Sequence, residues 1–241
     1  MRQGARIGVV IPALDEEQAV ARVIADIPAW VDRIVVADNG SRDRTGDVAR
    51  LAGAKVVREP RRGYGNACLA GLAAQRDADI VVFLDADYSD HAEDMAELVD
   101  PIAGGDCDMV IGSRVLGARE PGALTPQQQF GNWLATALIR RIWGVRFTDL
   151  GPFRAIRRAA LDRLEMREPA YGWTVEMQIK AAERGLRCCE VPAHYRRRIG
   201  VSKVSGTIKG SVLAGSRILW MIGRHALGRR QPDRGPAHPA D

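Results

Sequence analysis

Short continuous apolar runs alternate with segments of helical periodicity over the first 112 residues of the sequence. The apolar runs occupy residues 6–13, 33–37, 55–57, 80–84 and 109–111. Helical spacing between these runs predicts helices over residues 16–27, 43–51, 65–75 and 92–102. Strands that are apolar throughout are typical of a parallel sheet that is covered by helices on both faces. The alternation therefore predicts a Rossmann-like α/β fold with a mostly parallel central sheet.

The length and composition are consistent with one domain of this kind. The chain has 241 residues, of which 46% are hydrophobic, enough for a substantial core. We predict one domain over residues 1–228, with a first half at 1–112 and a second at 113–228. The segment 229–241 is rich in arginine, proline and alanine, which predicts a disordered tail. The net charge of +5 favours anionic partners such as phosphorylated substrates or anionic lipid surfaces.

The four cysteines favour free thiols over a zinc site or a disulfide. No pair has CxxC spacing, and adjacent Cys188 and Cys189 are poorly placed to form an ordinary disulfide with each other. We therefore expect reduced cysteines, as in a cytoplasmic protein. The N-terminus runs straight into the first strand, so no signal peptide is expected. No apolar run reaches the roughly 18 residues of a spanning helix, which predicts a cytoplasmic protein, peripheral at the membrane if it binds one.

Polar clusters follow four of the predicted strands at the point where each strand ends. Their sequences are Asp15-Glu16-Glu17, Asp38-Asn39-Gly40-Ser41, Asp85-Ala86-Asp87 and Gly112-Ser113-Arg114. Any one of them is ordinary turn chemistry. Open α/β sheets, however, bind ligands at the carboxyl ends of their strands. Four polar clusters at one sheet edge therefore predict a ligand site there.

The Asp85-Ala86-Asp87 cluster is the strongest indication of chemistry. Carboxylates at positions i and i+2 of an extended backbone point the same way, and such a pair can hold a hard divalent cation. The alternative is a solvated acidic turn. The apolar run at residues 81–84 places both acids at the mouth of a buried strand, where unused charge is costly. We therefore favour a metal site.

Two further segments suggest contacts with a nucleotide. Asp38 can accept hydrogen bonds from a base or ribose, whereas Ser41 or Asp43 can cap the next helix. The basic loop at residues 58–65 enters a helix at Gly65, an arrangement that suits phosphate. It lacks the GKS or GKT ending of a P-loop, and GxGxxG is absent from this region.

Together these motifs resemble the signatures of family 2 glycosyltransferases, whose fold is called GT-A. The resemblance rests on five stretches: Val10-Ile11-Pro12, Asp15-Glu16, Asp38 to Ser41 with Asp43, the loop from Arg61 to Asn66, and Asp85-Ala86-Asp87. In the second half the chain is similar to polyprenol-phosphate and dolichol-phosphate hexosyltransferases. The matching stretches are Gly112-Ser113-Arg114, Asp149 to Arg154, Tyr171 to Ala181, Glu190-Val191-Pro192, and Arg196 through Gly200 and Ser202 to Lys203.

The resemblance implies inverting, metal-dependent transfer of a hexose from a UDP- or GDP-sugar to a polyprenyl phosphate. The first half of the domain would bind the nucleotide sugar and the second the acceptor. The implied nucleotide-sugar residues are Pro12, Asp15, Glu16, Asp38, Asn39, Gly65, Asp85, Ala86 and Asp87. Mg²⁺ or Mn²⁺ would be held mainly by Asp87, assisted by Asp85. The implied ligands of the acceptor phosphate are Arg114, Arg154, Arg196, Arg198 and Lys203, and the implied catalytic residues are Asp87, Arg114, Arg154 and Glu176.

The sequence departs from the family pattern at positions that bear on the acceptor. Asp15 stands for the usual asparagine, Asn39 for an aspartate, and Pro152 for the serine of the subgroup's Gly-Ser-Phe-Arg. Relatives that act on hydroxyls often pair Glu176 with an aspartate, which is missing here. A phosphate acceptor is already anionic and needs no general base. A hydroxyl acceptor, with Glu176 or Asp149 as base, remains the alternative.

Two other classes of protein stay open. A sugar-nucleotide nucleotidyltransferase would need a glycine-rich basic loop after the first strand, where this chain has the acidic residues 15–17. A non-catalytic membrane-associated scaffold would not need the acidic clusters, so a metal-binding assay separates it.

Amphipathic segments at residues 128–145 and 207–224 carry tryptophan and basic residues. Such helices lie in a membrane interface or pack against a core. We expect a membrane surface as partner, with a membrane protein or a second copy of the chain as further candidates. Nucleic acid is not expected.

Overall fold

The computed structural model describes residues 1–200 and 208–228, and within them seven strands form one sheet. The strands are β1 (Ile7–Ala13), β2 (Arg33–Asp38), β3 (Lys55–Arg58), β4 (Ile80–Phe83), β5 (Met109–Ser113), β6 (Arg154–Arg157) and β7 (Cys188–Pro192). Their order across the sheet is β3-β2-β1-β4-β6-β5-β7. All neighbours pair in parallel except β6, which runs antiparallel to β4 and β5. The predicted tail at 229–241 and Lys203 lie outside the described residues.

Helices cover both faces of the sheet. They are α1 (Val20–Asp26), α2 (Thr45–Leu51), α3 (Tyr64–Ala73), α4 (Met95–Ala103), α5 (Pro126–Trp143), α6 (Arg158–Leu164), α7 (Trp173–Glu183) and α8 (Ile208–Gly228). A 3₁₀ turn, Ala92–Asp94, precedes α4. One apolar layer packs α1, α2 and α4 on the sheet, and the other packs α3 and α5 to α8. The predicted α/β architecture with a mostly parallel sheet is confirmed.

The five predicted strands are present because their side chains are apolar on both faces. Every residue of β1, β4 and β5 is buried. β6 and β7 have no counterpart in the sequence prediction. The sequence of β6 is Arg-Ala-Ile-Arg and that of β7 is Cys-Cys-Glu-Val-Pro, so neither shows a continuous apolar run.

The helix predicted over residues 16–27 begins only at Val20. Asp15 has a positive φ of 52°, a left-handed conformation that breaks the chain direction after β1. The Glu16 carbonyl then accepts the amides of Ala19 and Val20 before regular helix begins. Glu16 therefore lies in the loop at the carboxyl end of β1, where it can face a ligand.

Both predicted amphipathic helices exist and pack partly into the core. α5 begins with a capping box between Thr125 and Gln128, and its buried face contributes Ile139 to the second apolar layer. α8 contributes Met221 and Ile222 to the same layer. Among the helices in the described part of the chain, none combines the length and apolar character that crossing a bilayer requires.

The expectation of four free thiols is wrong for two of the cysteines. Cys107 and Cys189 form a disulfide, with their Cα atoms 6.2 Å apart and a sequence separation of 82 residues. Parallel pairing of β5 with β7 places Cys189 opposite Val110, close to Cys107, which lies just before β5. The sequence could not show this pairing because it depends on which strands become neighbours. Cys68 and Cys188 are free, as expected.

Candidate active site

The carboxyl ends of β1, β2 and β4 surround a cavity of about 190 Å³. Six of the nine predicted nucleotide-sugar residues line it, namely Pro12, Glu16, Asn39, Asp85, Ala86 and Asp87. The other three are adjacent to it but not in its wall: Asp15 in the loop after β1, Asp38 at the end of β2 and Gly65 in the first turn of α3. Three of the four clusters predicted to meet at one sheet edge contribute to this cavity, and the fourth, Gly112-Ser113-Arg114, does not line it.

A larger cavity of about 720 Å³ lies between α7, α8 and the loop at residues 165–169. Its walls include Glu176 and Lys180 but neither aspartate of the Asp85-Ala86-Asp87 cluster. The smaller cavity is the better candidate for chemistry because it gathers the acidic residues from several strand ends.

Three carboxylates lie close together at the smaller cavity: Asp85 and Asp87 line it, and Asp90 lies next to them outside its wall. Asp87 accepts hydrogen bonds from the amide and hydroxyl of Ser89, at 2.9 and 2.5 Å. Asp90 accepts the amide of Asp85 at 3.2 Å, and the Asp85 carboxylate accepts the Tyr64 hydroxyl at 3.0 Å. Burial, followed by the charge of Asp87, raises the pKa of Asp90 to about 7, and the same causes raise the pKa of Asp85. A cation would relieve this repulsion.

The donor set fits Mg²⁺ or Mn²⁺. Asp85 and Asp87 offer hard oxygen ligands at the mouth of β4. Within residues 1–200 and 208–228, no group of three or more His, Cys, Asp or Glu side chains has the geometry of a metal site. An ion at Asp87 would therefore complete its coordination with water and phosphate oxygens, as Mg²⁺ commonly does.

Arg198 joins two of the strand ends across the cavity. Its guanidinium Nη2 lies 2.7 Å from Glu16 Oε1, and Nη1 lies 3.1 Å from Asp87 Oδ2. A backbone hydrogen bond also joins the two segments, because the Ile199 amide donates to the Asp87 carbonyl at 2.9 Å. Arg198 is thus the cation that faces Asp87 in this structure.

Asn39 supports the basic loop next to the cavity. Its amide nitrogen donates to the carbonyls of Glu59 and Arg61 at 3.0 and 2.8 Å, and its oxygen accepts the Gly63 amide at 2.8 Å. Its neighbour Asp38 accepts the amide of Ser41, three residues on, at 2.8 Å. In this structure both residues shape the loops around the cavity.

Close packing against another segment explains the glycine at residue 65 better than contact with a phosphate does. A Cβ at this position would lie 1.8 Å from the Glu168 carbonyl oxygen, and one at Gly63 would lie 2.2 Å from that of Pro169. This close approach brings the loop after α6 against the start of α3. As a result Tyr171, from the second half of the chain, reaches the cavity wall.

Arg154 is not placed as the sequence predicted. The whole residue is buried, and its guanidinium donates to the carbonyls of Leu150, Gly151 and Thr174. Burial lowers the pKa of Arg154 to about 10, so the side chain stays charged at neutral pH. Its donors are directed at backbone carbonyls below the site, which argues against direct contact with an acceptor phosphate. The sequence missed this because apolar neighbours indicate burial but not the partner.

Glu176 also lies away from the acidic cluster. Its carboxylate accepts the amides of Arg167 and Glu168 and pairs with Lys180 Nζ at 2.8 Å. Only 4% of the residue is exposed, and that part borders the larger cavity. In this geometry Glu176 holds the loop that carries Tyr171, and it is not placed as a base for the smaller cavity.

Arg114 and Asp149 form a buried pair behind the cluster. Two nitrogens of Arg114 bind the two carboxylate oxygens of Asp149, each at 2.7 Å. Burial alone would raise the pKa of Asp149, but the Arg114 charge and its hydrogen bonds outweigh this and lower it. Glu190 holds the same loop by accepting the amides of Thr148 and Asp149, which gives the Glu190-Val191-Pro192 motif a structural role.

Arg196 braces the loop after β4. Its guanidinium carbon lies 3.4 Å from the centre of the Tyr88 ring, and its nitrogens bind the Tyr88 carbonyl and Asp26. Lys203, the last predicted ligand of the acceptor phosphate, lies outside the described residues.

Three residues at the site were not predicted from the sequence: Tyr64 and Tyr171, which line the cavity, and Asp90, which lies next to Asp85. Tyr64 follows the basic loop and could have been found as the first residue of a helix opening on the strand ends. Asp90 is only three positions beyond Asp87, but its inward orientation depends on the positive φ of 68° at Tyr88. Tyr171 arrives from a distant segment and has no local signal.

A mostly parallel sheet with paired aspartates at its carboxyl edge defines a GT-A glycosyltransferase. The chain belongs to glycosyl transferase family 2, whose family model matches residues 8–165. It is similar to an uncharacterized glycosyltransferase of Mycobacterium tuberculosis, with 38% identity over 88% of this chain and 95% of that one. It is 33% identical to a dolichyl-phosphate hexose transferase of Haloferax volcanii, over 87% of this chain and 91% of that protein.

Two further similarities concern the acceptor and the metal. The chain is 28% identical to an undecaprenyl-phosphate mannosyltransferase of Micrococcus luteus, over 86% of this chain and 91% of that protein. The structure resembles glucosyl-3-phosphoglycerate synthase from Mycobacterium tuberculosis in complex with Mn²⁺, UDP and phosphoglyceric acid. That match has a TM-score of 0.76 and 26% identity, and it covers 96% of this chain and 81% of that chain.

Proposed function

We propose that this enzyme transfers a hexose, with inversion, from a nucleoside diphosphate sugar to a polyprenyl phosphate. The observation that carries this choice of acceptor is the engagement of both candidate bases. Asp149 is bound on both oxygens by Arg114, and Glu176 by two backbone amides and Lys180. A hydroxyl acceptor usually needs a base to take its proton, whereas a phosphate is already anionic at neutral pH.

The names of the relatives support the same acceptor. A dolichyl-phosphate hexose transferase and an undecaprenyl-phosphate mannosyltransferase both match over most of their length. Both names join a hexosyl transfer to a polyprenyl phosphate, and neither identifies the sugar or the base that this chain uses.

In the proposed donor complex, the nucleoside lies toward Pro12, Asp38 and Asn39, and the diphosphate lies toward Asp87. Asp87 would hold Mg²⁺ or Mn²⁺ with help from Asp85, and the ion would offset the charge that develops on the leaving diphosphate. Glu16 faces the same space from the end of β1.

In the proposed reaction, a phosphate oxygen of the acceptor forms a bond to the anomeric carbon. The bond from that carbon to the diphosphate breaks on the opposite face, so the configuration inverts. We propose that Arg114, whose side chain is 14% exposed, is the described arginine nearest the acceptor phosphate. Arg154 does not contact the acceptor in this proposal. Its buried guanidinium holds the loop at residues 150–151 by donating hydrogen bonds to the carbonyls of Leu150 and Gly151.

Exposed aromatic residues on α5 and α8 support docking on a membrane surface. Phe130 and Trp133 are each 62% exposed, with ring centres 5.8 Å apart, and Trp220 is 47% exposed. Arg217 and Arg224 lie over the Trp220 ring, so cations accompany the apolar surface. This combination is typical of helices that lie in a lipid interface. We propose a peripheral location at the cytoplasmic face.

A matched acceptor panel tests the proposed function. Transfer is measured from UDP- and GDP-hexoses with Mn²⁺ or Mg²⁺, using a polyprenyl phosphate and the polyprenol of the same length without phosphate. We expect product only with the phosphate. Robust transfer to the neutral alcohol, lost in Glu176→Gln, would instead establish a hydroxyl acceptor.

A phosphate-bearing hydroxyl acceptor is the second candidate. It is favoured by the similarity to a glucosyl-3-phosphoglycerate synthase whose complex contains phosphoglyceric acid. Adding 3-phosphoglycerate to the panel distinguishes it, because its phosphate would bind while a hydroxyl reacts.

A further inference from the structure

Arg198 occupies the space beside Asp87 where a divalent cation would bind. Its two terminal nitrogens contact Glu16 from the end of β1 and Asp87 from the end of β4. The third nitrogen, Nε, is buried and has no hydrogen-bond partner among residues 1–200 and 208–228. The guanidinium thus makes only part of the hydrogen bonds that it could make, at a buried position where an unmade bond is unfavourable.

The cavity is narrow with Arg198 in this position. Its volume is about 190 Å³, and Arg198 forms part of its wall together with Arg62 and Tyr171. Clefts that hold drug-sized ligands enclose roughly 300–1,000 Å³. Movement of Arg198 would enlarge the cavity, and among the described residues its guanidinium contacts two carboxylates, those of Glu16 and Asp87.

The charges explain why an arginine is favourable here when no metal is bound. Asp85, Asp87 and Asp90 are close together and largely withdrawn from water, so their charges repel one another. Arg198 places a positive charge on the outer side of this group. A divalent ion at Asp87 would supply the same compensation, but the two cations cannot contact the same carboxylate oxygen from the same side.

We propose that Arg198 is an internal counter-ion that occupies the metal position of the free enzyme and is exchanged for the divalent ion when the nucleotide binds. The proposal builds on the metal position at Asp87 given under the proposed function. The diphosphate gives the displaced guanidinium an anionic partner, because planar arginine forks bind phosphate oxygens well. Metal and nucleotide therefore bind together, and the metal alone binds weakly.

Mn²⁺ binding without any sugar or acceptor tests this exchange. Free Mn²⁺ is measured by electron paramagnetic resonance during titration of the full chain, first alone and then with UDP. We expect Arg198→Gln to bind Mn²⁺ alone about tenfold more tightly than wild type, equivalent to about 1.4 kcal/mol. In the presence of UDP the order should reverse, with the variant binding the Mn²⁺–UDP pair more weakly.

Arg197→Gln is the matched control. Arg197 is adjacent in sequence, but it contacts the Pro121 carbonyl and Glu120, away from Asp87. It should leave both titrations unchanged. Arg198→Lys keeps the charge and should stay close to wild type for Mn²⁺ alone, so it covers the case in which the glutamine variant folds poorly.

Two results would overturn the proposal. Equal Mn²⁺ affinity of wild type and Arg198→Gln without UDP would show that Arg198 does not compete with the metal, and the proposed transfer reaction would still stand. Absence of Mn²⁺ binding in every variant, with and without UDP, would remove the metal position itself and with it the metal-dependent part of the proposed function.

Discussion

Replacing Glu176 by glutamine separates a structural role from a catalytic one. The carboxylate accepts the Glu168 amide at 2.8 Å and the Arg167 amide at 3.1 Å, and it pairs with Lys180 at 2.8 Å. All of these contacts lie where the loop after α6 meets α7. Glutamine has nearly the same shape, so the substitution removes the charge and one acceptor without opening a cavity.

The expected destabilisation follows from these contacts. If the glutamine oxygen keeps the backbone amides, its NH₂ group faces the Lys180 ammonium, and two donors then meet. Breaking a buried ion pair from one side costs about 3–5 kcal/mol. Lys180 keeps its bond to the Glu165 carbonyl at 2.7 Å, so we expect the lower end, about 3 kcal/mol. For a chain of this length that is a fall in Tm of about 6–12 °C.

Urea denaturation and thermal melting measure the loss of folding stability in Glu176→Gln. A second substitution identifies the source of that loss. Lys180→Met in the Glu176→Gln background removes the unpaired charge and should restore part of the lost stability. Transfer activity should fall only as far as the loop is loosened. A Glu176→Gln protein that melts like wild type but has lost transfer would refute the structural role and make Glu176 the base.

Three further predictions concern the metal, the acidic cluster and the membrane. Asp87→Asn should abolish transfer while circular dichroism shows a folded protein, because an amide cannot match a carboxylate's charge on the ion; near-wild-type rates would exclude the metal role. The pKa of Asp90 is raised to about 7, so the folded state binds more protons than the unfolded one between the ordinary carboxyl pKa and pH 7, and stability falls as pH rises through that window. In EDTA, Asp90→Asn should therefore melt above wild type at pH 8 by a margin that shrinks at pH 5; a constant margin would contradict this. Replacing Phe130 and Trp133 by alanine should reduce co-sedimentation with anionic vesicles at low salt, whereas unchanged sedimentation would place the membrane contact elsewhere.

Much of the fold could be predicted because buried parallel strands have a recognisable sequence pattern, a short continuous apolar run. The run at Ile7–Ala13 is apolar on both faces, so its sequence shows neither the spacing of an amphipathic helix nor the alternation of a half-buried strand. β6 could not be predicted, because it has only two apolar residues, Ala155 and Ile156, and an arginine at each end. Its antiparallel place between β4 and β5 is a property of the assembled sheet.

The site could be located from sequence, but the partners within it could not. Asp85 and Asp87 follow directly from a strand and lie where expected. Arg154 shows the limit, because its apolar neighbours are compatible both with a cleft and with full burial under carbonyl groups. The disulfide between Cys107 and Cys189 is a second case, since it depends on the neighbour relation of two strands.

The donor cavity and the C-terminal helix share one structural element. Arg217 on α8 binds both oxygens of Glu168, at 2.9 and 2.7 Å. The carbonyl of Glu168 packs so closely on α3 that only glycine fits at residue 65, and Tyr171 follows it into the cavity wall. The loop at residues 165–171 therefore connects α8 to the wall of the cavity. If α8 docks on a lipid surface, a shift of α8 acts on this loop, and we predict that membrane binding then changes the affinity for the nucleotide sugar.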